Sequence, residues 1–263
     1  MIDAVKHDAD ADIVFGDNGH VTFDAIGGVI RAESFDAGFG GNDTIAVGGG
    51  DNLVIGGTGA DTIVALGGGD VIIGDNGYAL FAAGVRIEFA STETADGGDD
   101  RIDAGDGDNL VLGGSGSDTI STGSGGDIVL GDNGLVGYAL GIRARVVSDR
   151  NGGARDSIVT GAGADVVLGG LGGDTIDAGK ADSEADVVFG DNGEVTFDGQ
   201  GRVSFAQTTD PTLGGDDEID AGAGDNLVFG GAGADTIVTG AGADIVLGDN
   251  GSVPGSRAES VLR

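Results

Sequence analysis

The chain has 263 residues, of which 58 are glycine, 2 are proline and none is tryptophan or cysteine. This composition gives too little side-chain bulk for an ordinary globular core, and the lack of cysteine excludes disulfides, thiolate zinc sites and iron–sulfur clusters. Lysine and arginine total 12 against 45 aspartate and glutamate, a formal net charge of −33. We therefore expect cations as partners and no nucleic acid.

No run approaches the roughly 18 apolar residues of a membrane span, so we expect no membrane insertion.

A long repeat runs through the whole chain. The tetrapeptide Gly-Asp-Asn-Gly recurs at spacings of 58, 57, 59 and 58 residues, beginning at Gly16, Gly74, Gly131, Gly190 and Gly248. Such a regular period predicts stacked supersecondary units, so residues 1–263 are expected to form a single continuous repeat array. We divide the array into a partial unit 1–19, units of approximately 20–77, 78–134, 135–193 and 194–251, and a tail 252–263. Since the chain starts and ends inside a unit, the pattern predicts a segment of a longer array.

A second period of nine residues lies inside each unit, most clearly in 230–238 and 239–247, where the sixth residue is Asp and the eighth is β-branched. Seventeen nonapeptides follow this pattern, with fourteen Asp and three Asn at the sixth position. The sixth-position residues are Asp12, Asp43, Asn52, Asp61, Asp70, Asp100, Asn109, Asp118, Asp127, Asp156, Asp165, Asp174, Asp186, Asp217, Asn226, Asp235 and Asp244. The register breaks once, between Asp174 and Asp186, where three extra residues around 180–182 are expected to bulge from a turn.

The nonapeptide resembles the RTX, or haemolysin-type, calcium-binding repeat, Gly-Gly-x-Gly-x-Asp-x-U-x. The resemblance implies an all-β fold: a parallel β-roll, or β-solenoid, of calcium-binding half-coils. It also implies that multiple Ca²⁺ ions lie between neighbouring turns on the same edge of the roll, held by the sixth-position side chains and by carbonyls of the glycine turns.

The residue types themselves favour the same cation. Glycine turns leave backbone carbonyls bare, and these carbonyls with one carboxylate per turn form an all-oxygen environment that suits Ca²⁺. Stacked half-coils would align like charges about 4.8 Å apart, which is repulsive unless cations lie between them. We therefore expect the metal-free chain to be largely unfolded.

Two departures from the motif leave alternatives open. The three Asn follow Asp51, Asp108 and Asp225, which either help to coordinate the metal or reflect neutral exchange between adjacent acceptors. The Gly-Asp-Asn-Gly aspartates either provide the last carboxylate for a run of Ca²⁺ ions or belong to a tight turn. These aspartates are Asp17, Asp75, Asp132, Asp191 and Asp249.

The two faces of the predicted roll differ in polarity. The outward residues of alternate half-coils are largely polar on one side, as at Thr62, and apolar on the other, as at Leu110 and Leu112. An apolar strip of this size should be covered. The segments between runs, such as 195–205, read as β-hairpins that fold across the strip. The alternative is two metal-free coils per unit, which would leave the strip for side-by-side association with another roll.

No constellation of catalytic residues is evident, and we do not expect an enzyme. The two histidines, His7 and His20, lie outside the repeated positions. No Gly-x-Ser-x-Gly elbow or complete phosphate-binding loop occurs. Repeated turn aspartates also lack the singular pair of carboxylates that glycosidase chemistry needs.

We therefore expect a calcium-binding structural or scaffold segment of a large secreted or cell-surface bacterial protein, which folds on binding extracellular Ca²⁺ and associates laterally if its apolar face is free. The resemblance implies export of the unfolded chain by type I secretion. The alternative is the folding and secretion module of an exported hydrolase or toxin whose catalytic domain lies elsewhere. A Ca²⁺-dependent filament or sheet former, of adhesin-like use, is the third possibility.

Overall fold

The computed structural model describes residues 1–4, 9–179 and 182–255, and in these residues the regular structure consists of 27 strands, β1 to β27 in chain order. The strands form three nine-stranded sheets, which we name the outer, middle and hairpin sheets. His7 and the inserted Lys180 and Ala181 lie outside the described residues. No helix in the described part of the chain has the length and apolar character to cross a membrane.

The outer sheet is parallel, and each of its strands begins directly after a sixth-position residue or, at the chain start, with Ile2. In spatial order it contains β1 (Ile2–Ala4), β5 (Thr44–Val47), β7 (Thr62–Val64), β11 (Arg101–Asp103), β13 (Thr119–Ser121), β17 (Ser157–Thr160), β19 (Thr175–Ala178), β23 (Glu218–Asp220) and β25 (Thr236–Val238).

The middle sheet is also parallel and takes the alternate half-coils. In spatial order it contains β2 (Ile13–Phe15), β6 (Leu53–Ile55), β8 (Val71–Ile73), β12 (Leu110–Gly114), β14 (Ile128–Asp132), β18 (Val166–Gly170), β20 (Val187–Asp191), β24 (Leu227–Gly231) and β26 (Ile245–Asp249). The outer and middle sheets together are the predicted parallel β-roll, which is confirmed.

The hairpin sheet is antiparallel and consists of the segments that separate the nonapeptide runs. In spatial order it contains β3 (Gly19–Phe23), β4 (Val29–Ser34), β9 (Gly77–Ala82), β10 (Val85–Ser91), β15 (Gly134–Ala139), β16 (Ile142–Ser148), β21 (Gly193–Phe197), β22 (Val203–Thr208) and β27 (Ser252–Pro254). Adjacent hairpins also pair with each other, as Arg31 does with Leu80, so the sheet is continuous along the roll. His20 lies on this sheet, with its Nε2 2.8 Å from Glu33 Oε1.

A thin core fills the roll between the outer and middle sheets. The eighth residues of the nonapeptides point into it, and Ile63 and Ile72 are fully buried there. Alternation along a three-residue strand places one side chain inward and two outward, so each half-coil contributes a single large residue to this core. At roughly 1.5–3 kcal/mol for each buried Val or Ile, the roll core is a modest source of stability for its length.

A second core lies between the middle and hairpin sheets. The apolar strip is buried there, with Leu110 and Leu112 at most 1% exposed. Ala79, Val136 and Val195 close it from the hairpin side and are fully buried. The hairpin prediction is therefore confirmed, and the alternative of metal-free coils is wrong because these segments pair antiparallel outside the roll. The apolar strip is therefore covered by the hairpin sheet.

Aromatic side chains reinforce the second core. The ring of Phe89, fully buried, packs edge-on against Phe81 and Tyr138, with centroids 5.6 and 5.7 Å away. In the middle sheet Phe189 and Phe229 lie on neighbouring strands and stack at 4.3 Å. Such rings bury a large apolar area and favour these geometries.

We predict that Phe89→Ala weakens the fold strongly. Removal of a fully buried phenylalanine typically costs about 3–5 kcal/mol, through lost burial and the cavity left behind. Chemical denaturation in millimolar Ca²⁺ should show a lower midpoint for this variant.

The matched control is Phe23→Ala in the same sheet, because Phe23 is 58% exposed. This change should cost about 1 kcal/mol or less. Equal denaturation midpoints for the two variants would contradict a buried second core between the hairpin and middle sheets.

Candidate metal centre

The sixth-position residues form two columns along the two edges of the roll. Each residue directly precedes a roll strand, and most of them end a glycine-rich turn, so stacking of the turns places equivalent side chains above one another. The first edge carries the turns that lead into the outer sheet, with Asp43, Asp61, Asp100, Asp118, Asp156, Asp174, Asp217 and Asp235. The second edge carries the turns that lead into the middle sheet, with Asp12, Asn52, Asp70, Asn109, Asp127, Asp165, Asp186, Asn226 and Asp244.

The turn at 56–61 shows why glycine recurs in the motif. Gly57 and Gly59 have φ values of 105° and 127°. Residues with a side chain rarely adopt such values. A β-carbon at Gly56 would lie 2.0 Å from the carbonyl oxygen of Gly74 and 2.6 Å from Asp61 Oδ2. Glycine at the first position of the motif therefore leaves a small space. The carboxylate oxygen of Asp61 in the same turn and the carbonyl oxygen of Gly74 in the next turn both face this space.

Hydrogen bonds join the residues of each column. Except in Asp12 and Asp43, which begin the two columns, the Oδ1 atom of each sixth-position residue accepts the backbone N–H of the sixth-position residue one turn earlier. On the first edge, Asp61 N–H donates to Asp100 Oδ1 at 2.7 Å, and Asp100 N–H donates to Asp118 Oδ1 at 2.8 Å. On the second edge, Asn109 N–H donates to Asp127 Oδ1 at 2.8 Å. In all column residues after these first two, one side-chain oxygen thus holds neighbouring turns together.

The second oxygen is left without a partner. Among the described residues, twelve of the fourteen column aspartates have an Oδ2 atom that is buried and accepts no hydrogen bond: Asp12, Asp61, Asp70, Asp100, Asp118, Asp127, Asp156, Asp165, Asp174, Asp186, Asp217 and Asp235. A buried carboxylate oxygen without a donor or cation is strongly unfavourable. These atoms fit a hard cation.

The same convergence of oxygens recurs along the first edge. A β-carbon at Gly74 would lie 2.3 Å from both Asp100 Oδ2 and the carbonyl oxygen of Gly113. In the described residues no group of three or more acidic or histidine side chains gathers as a metal cluster. A cation here would therefore take several of its ligands from turn carbonyls, as Ca²⁺ does readily with its 6–8 oxygen ligands.

Burial and mutual repulsion raise the pKa values of the columns. Desolvation raises the pKa of Asp118 to about 7 and that of Asp100 to about 9, with further repulsion at Asp100 from Asp75 and Asp118. It raises the pKa of Asp156 to about 10, with repulsion from Asp132 and Asp118. On the second edge, desolvation raises the pKa of Asp70 to about 6 and that of Asp186 to about 8. The two highest values, at Asp100 and Asp156, both lie on the first edge.

The Gly-Asp-Asn-Gly aspartates lie beside the first edge, where each hairpin leaves the roll. Asp75 accepts the N–H of Gly98 at 3.1 Å, where the chain returns, and the N–H of Ser115 in the next turn at 2.5 Å. Asp17, Asp132 and Asp191 likewise accept two backbone N–H groups each. Asp249 lies at the end of β26, paired with Gly231. Four of the five therefore fasten the base of a hairpin to the roll.

The three column asparagines are buried, whereas Asp51 and Asp108 before two of them are exposed and Asp225 before the third is half-buried. Asp51 accepts the N–H of Gly69 at 2.8 Å, and Asp108 accepts the N–H of Gly126 at 2.9 Å. Asp225 makes the equivalent bond to Ala243 N–H at 2.7 Å. These carboxylates join the outer rims of neighbouring turns.

Sequence reasoning missed two arginines that reach the second edge from the hairpins. Arg86 Nη2 donates to the carbonyl of Gly69 at 2.8 Å, and Arg143 Nη2 donates to that of Gly126 at 3.4 Å. Each follows the glycine of its hairpin turn by two residues, a signal that becomes readable only once the hairpins are known. Burial lowers the pKa of Arg143.

The profile of the RTX calcium-binding nonapeptide repeat family matches this chain in four copies, at residues 37–72, 94–134, 151–182 and 212–252. These regions cover more than half of the chain, and the intervals between them coincide with the three internal hairpins. No curated protein sequence matches the chain.

We predict that the metal-free chain loses β-structure as the pH rises. The pKa of Asp61 is raised from 3.8 to about 6, that of Asp217 to about 8 and that of Asp100 to about 9, chiefly by desolvation. A carboxyl with a raised folded-state pKa stabilises the fold while protonated, and this contribution is lost as the pH rises through that pKa. Far-UV circular dichroism should therefore show more β-structure at pH 5 than at pH 9.

Millimolar Ca²⁺ should remove this dependence above about pH 7, because a bound cation replaces the protons. A metal-free chain that is more folded at pH 9 than at pH 5 would contradict the buried columns.

Proposed function

We propose that this chain, which belongs to the RTX calcium-binding nonapeptide repeat family, is a structural segment that folds when Ca²⁺ fills the columns on both edges of its roll. The column aspartates are the side-chain ligands, with carbonyls of the glycine turns completing each site. The chain acts as a spacer or scaffold within a large secreted or cell-surface bacterial protein, where external Ca²⁺ is abundant.

The observation that carries this proposal is the row of buried, unpartnered Oδ2 atoms. Apart from Asp12 and Asp43, each column aspartate uses Oδ1 to hold a neighbouring turn, so an ionised side chain has one oxygen left for a cation. Ca²⁺ accepts carboxylate and carbonyl oxygens at about 2.3–2.6 Å in a flexible geometry, which suits turns that offer both. The family match supports the choice of Ca²⁺ over other hard cations.

Folding and binding are coupled in this proposal. Without cations, ionised carboxylates at neutral pH would be buried beside one another, and the thin roll core opposes this only weakly. Binding to the folded form alone stabilises it by mass action. Extracellular calcium modules often bind at 10⁻⁴–10⁻³ M, so such a chain would stay unfolded in a calcium-poor cytosol and fold outside the cell.

The covered apolar face bears on the scaffold role. The hairpin sheet buries the apolar strip, which could drive association only if it were free, and the outer sheet presents polar side chains such as Thr44 and Glu218 to solvent. We therefore propose that the loaded roll functions as a stiff monomeric rod. Sedimentation during Ca²⁺ loading tests this: a monomer is expected, and growing oligomers would restore the filament interpretation.

We predict a Ca²⁺-specific coil-to-β transition in the chain, followed by far-UV circular dichroism, with Mg²⁺ at equal ionic strength as the control. Mg²⁺ should not substitute, because it prefers shorter, near-octahedral coordination. Full β-structure in chelator at neutral pH would overturn the proposal.

The column variant Asp100→Ala/Asp118→Ala/Asp156→Ala should need at least ~10-fold more Ca²⁺ to reach the midpoint of folding, because it removes three buried ligands. The variant Asp3→Ala/Asp10→Ala/Asp96→Ala is the matched control, since it removes the same charge from exposed positions. Equal midpoints for the two variants would show that the column aspartates do not bind the metal.

A further inference from the structure

The three asparagines of the second edge make contacts that the column aspartates do not. Asn52 Nδ2 donates to the carbonyls of Gly50 at 3.0 Å and Gly48 at 3.4 Å. Asn109 Nδ2 donates to the carbonyls of Gly107 at 2.9 Å and Gly105 at 3.1 Å. The side-chain amide therefore turns back onto the glycine carbonyls of its own turn.

The third asparagine repeats this arrangement with a small shift. Asn226 Nδ2 donates to the carbonyls of Ala221 at 2.9 Å and Gly222 at 3.4 Å. Turn carbonyls of this kind are the backbone ligands that a hard cation would use. At the three asparagines, an amide N–H group already occupies them.

The amide also reaches the next turn of the column. Asn52 Nδ2 lies 2.9 Å from Asp70 Oδ1, so it donates to the neighbouring carboxylate as well as to its own turn. In contrast to the column aspartates, the side chains of the three asparagines leave no buried atom without a partner among the described residues. Their hydrogen-bonding capacity is met by protein alone.

Arginines add positive charge near two of the three asparagine turns. Arg86 donates to Gly69, the residue before Asp70, and Arg143 donates to Gly126, the residue before Asp127. Asp70 and Asp127 are the column neighbours that follow Asn52 and Asn109. The guanidinium groups thus reach the rim of the second edge one turn beyond an asparagine.

We propose that the turns of Asn52, Asn109 and Asn226, which we name the asparagine rungs, bind no metal. In each of them the side-chain amide takes the place of a Ca²⁺ ion, so that the second edge binds fewer ions than the first. The proposal rests on the calcium function proposed above and deepens it by assigning which turns bind. The first edge is a continuous column of eight aspartates, whereas the asparagines interrupt the second.

The test measures bound Ca²⁺ per chain, by equilibrium dialysis and elemental analysis at saturating Ca²⁺. The variant Asn52→Asp/Asn109→Asp/Asn226→Asp should bind about three more ions than the parent chain, because each new carboxylate restores a ligand and removes the competing N–H groups. An unchanged count would overturn the proposal, since the asparagine turns would then already hold metal or be unable to do so.

Asp165→Asn is the matched reciprocal variant, because Asp165 occupies the second edge in the one complete unit that has no asparagine there. It should lose about one ion while keeping its β-structure in Ca²⁺. Loss of the fold on this change, or an unchanged ion count, would overturn the idea that an asparagine rung replaces the metal.

If the triple variant fails to fold, the single variant Asn109→Asp carries the same test, with an expected gain of about one ion. The parent chain separates the two proposals. A parent that binds no Ca²⁺ at millimolar concentration refutes the proposed function, whereas a parent that binds Ca²⁺ with variants that do not change the count refutes only the assignment of the asparagine rungs.

Discussion

Stacked carboxylates are the constraint on which the rest of this structure depends. Each column residue after the first in its column uses Oδ1 to hold the backbone N–H of the preceding turn, which fixes the spacing and register of the half-coils. The same bond forces Oδ2 into a buried position beside other carboxylates. The interaction that organises the roll therefore creates its main electrostatic cost, which the Ca²⁺ ions proposed between the turns would offset.

The three sheets stay aligned because each repeat unit adds two strands to every one of them. Parallel and antiparallel strands have nearly the same lateral spacing, about 4.7–4.9 Å, so a two-stranded hairpin advances along the roll as far as two coils do. A hairpin from each unit can therefore lie over the middle sheet without drifting out of step. Its buried residues, such as Phe89 and Val195, give the protein a second core that the thin roll lacks.

The two edges solve the electrostatic problem differently. The first edge has aspartate at every sixth position, and four of the five Gly-Asp-Asn-Gly aspartates adjoin it at the base of a hairpin, as Asp75 does. The second edge intersperses amides with carboxylates and receives Arg86 and Arg143 from the hairpin sheet. This division follows from the topology, because each hairpin leaves the roll at the first edge and its turn lies towards the second.

The sequence alone determined the period, the two alternating faces and the residues that line the edges, because these follow from the repetition of a nonapeptide with Asp sixth and a β-branched residue eighth. The parallel roll followed from the resemblance of this nonapeptide to the calcium-binding repeat. The hairpins were also readable from alternating residues such as those at 195–205. Only the tertiary structure decided that these hairpins join into one sheet over the apolar strip, that Asp75 fastens a hairpin base, and that Asn52 turns its amide onto glycine carbonyls. These features depend on contacts between residues some 20 to 40 positions apart or on the direction of a side chain, neither of which a local pattern encodes.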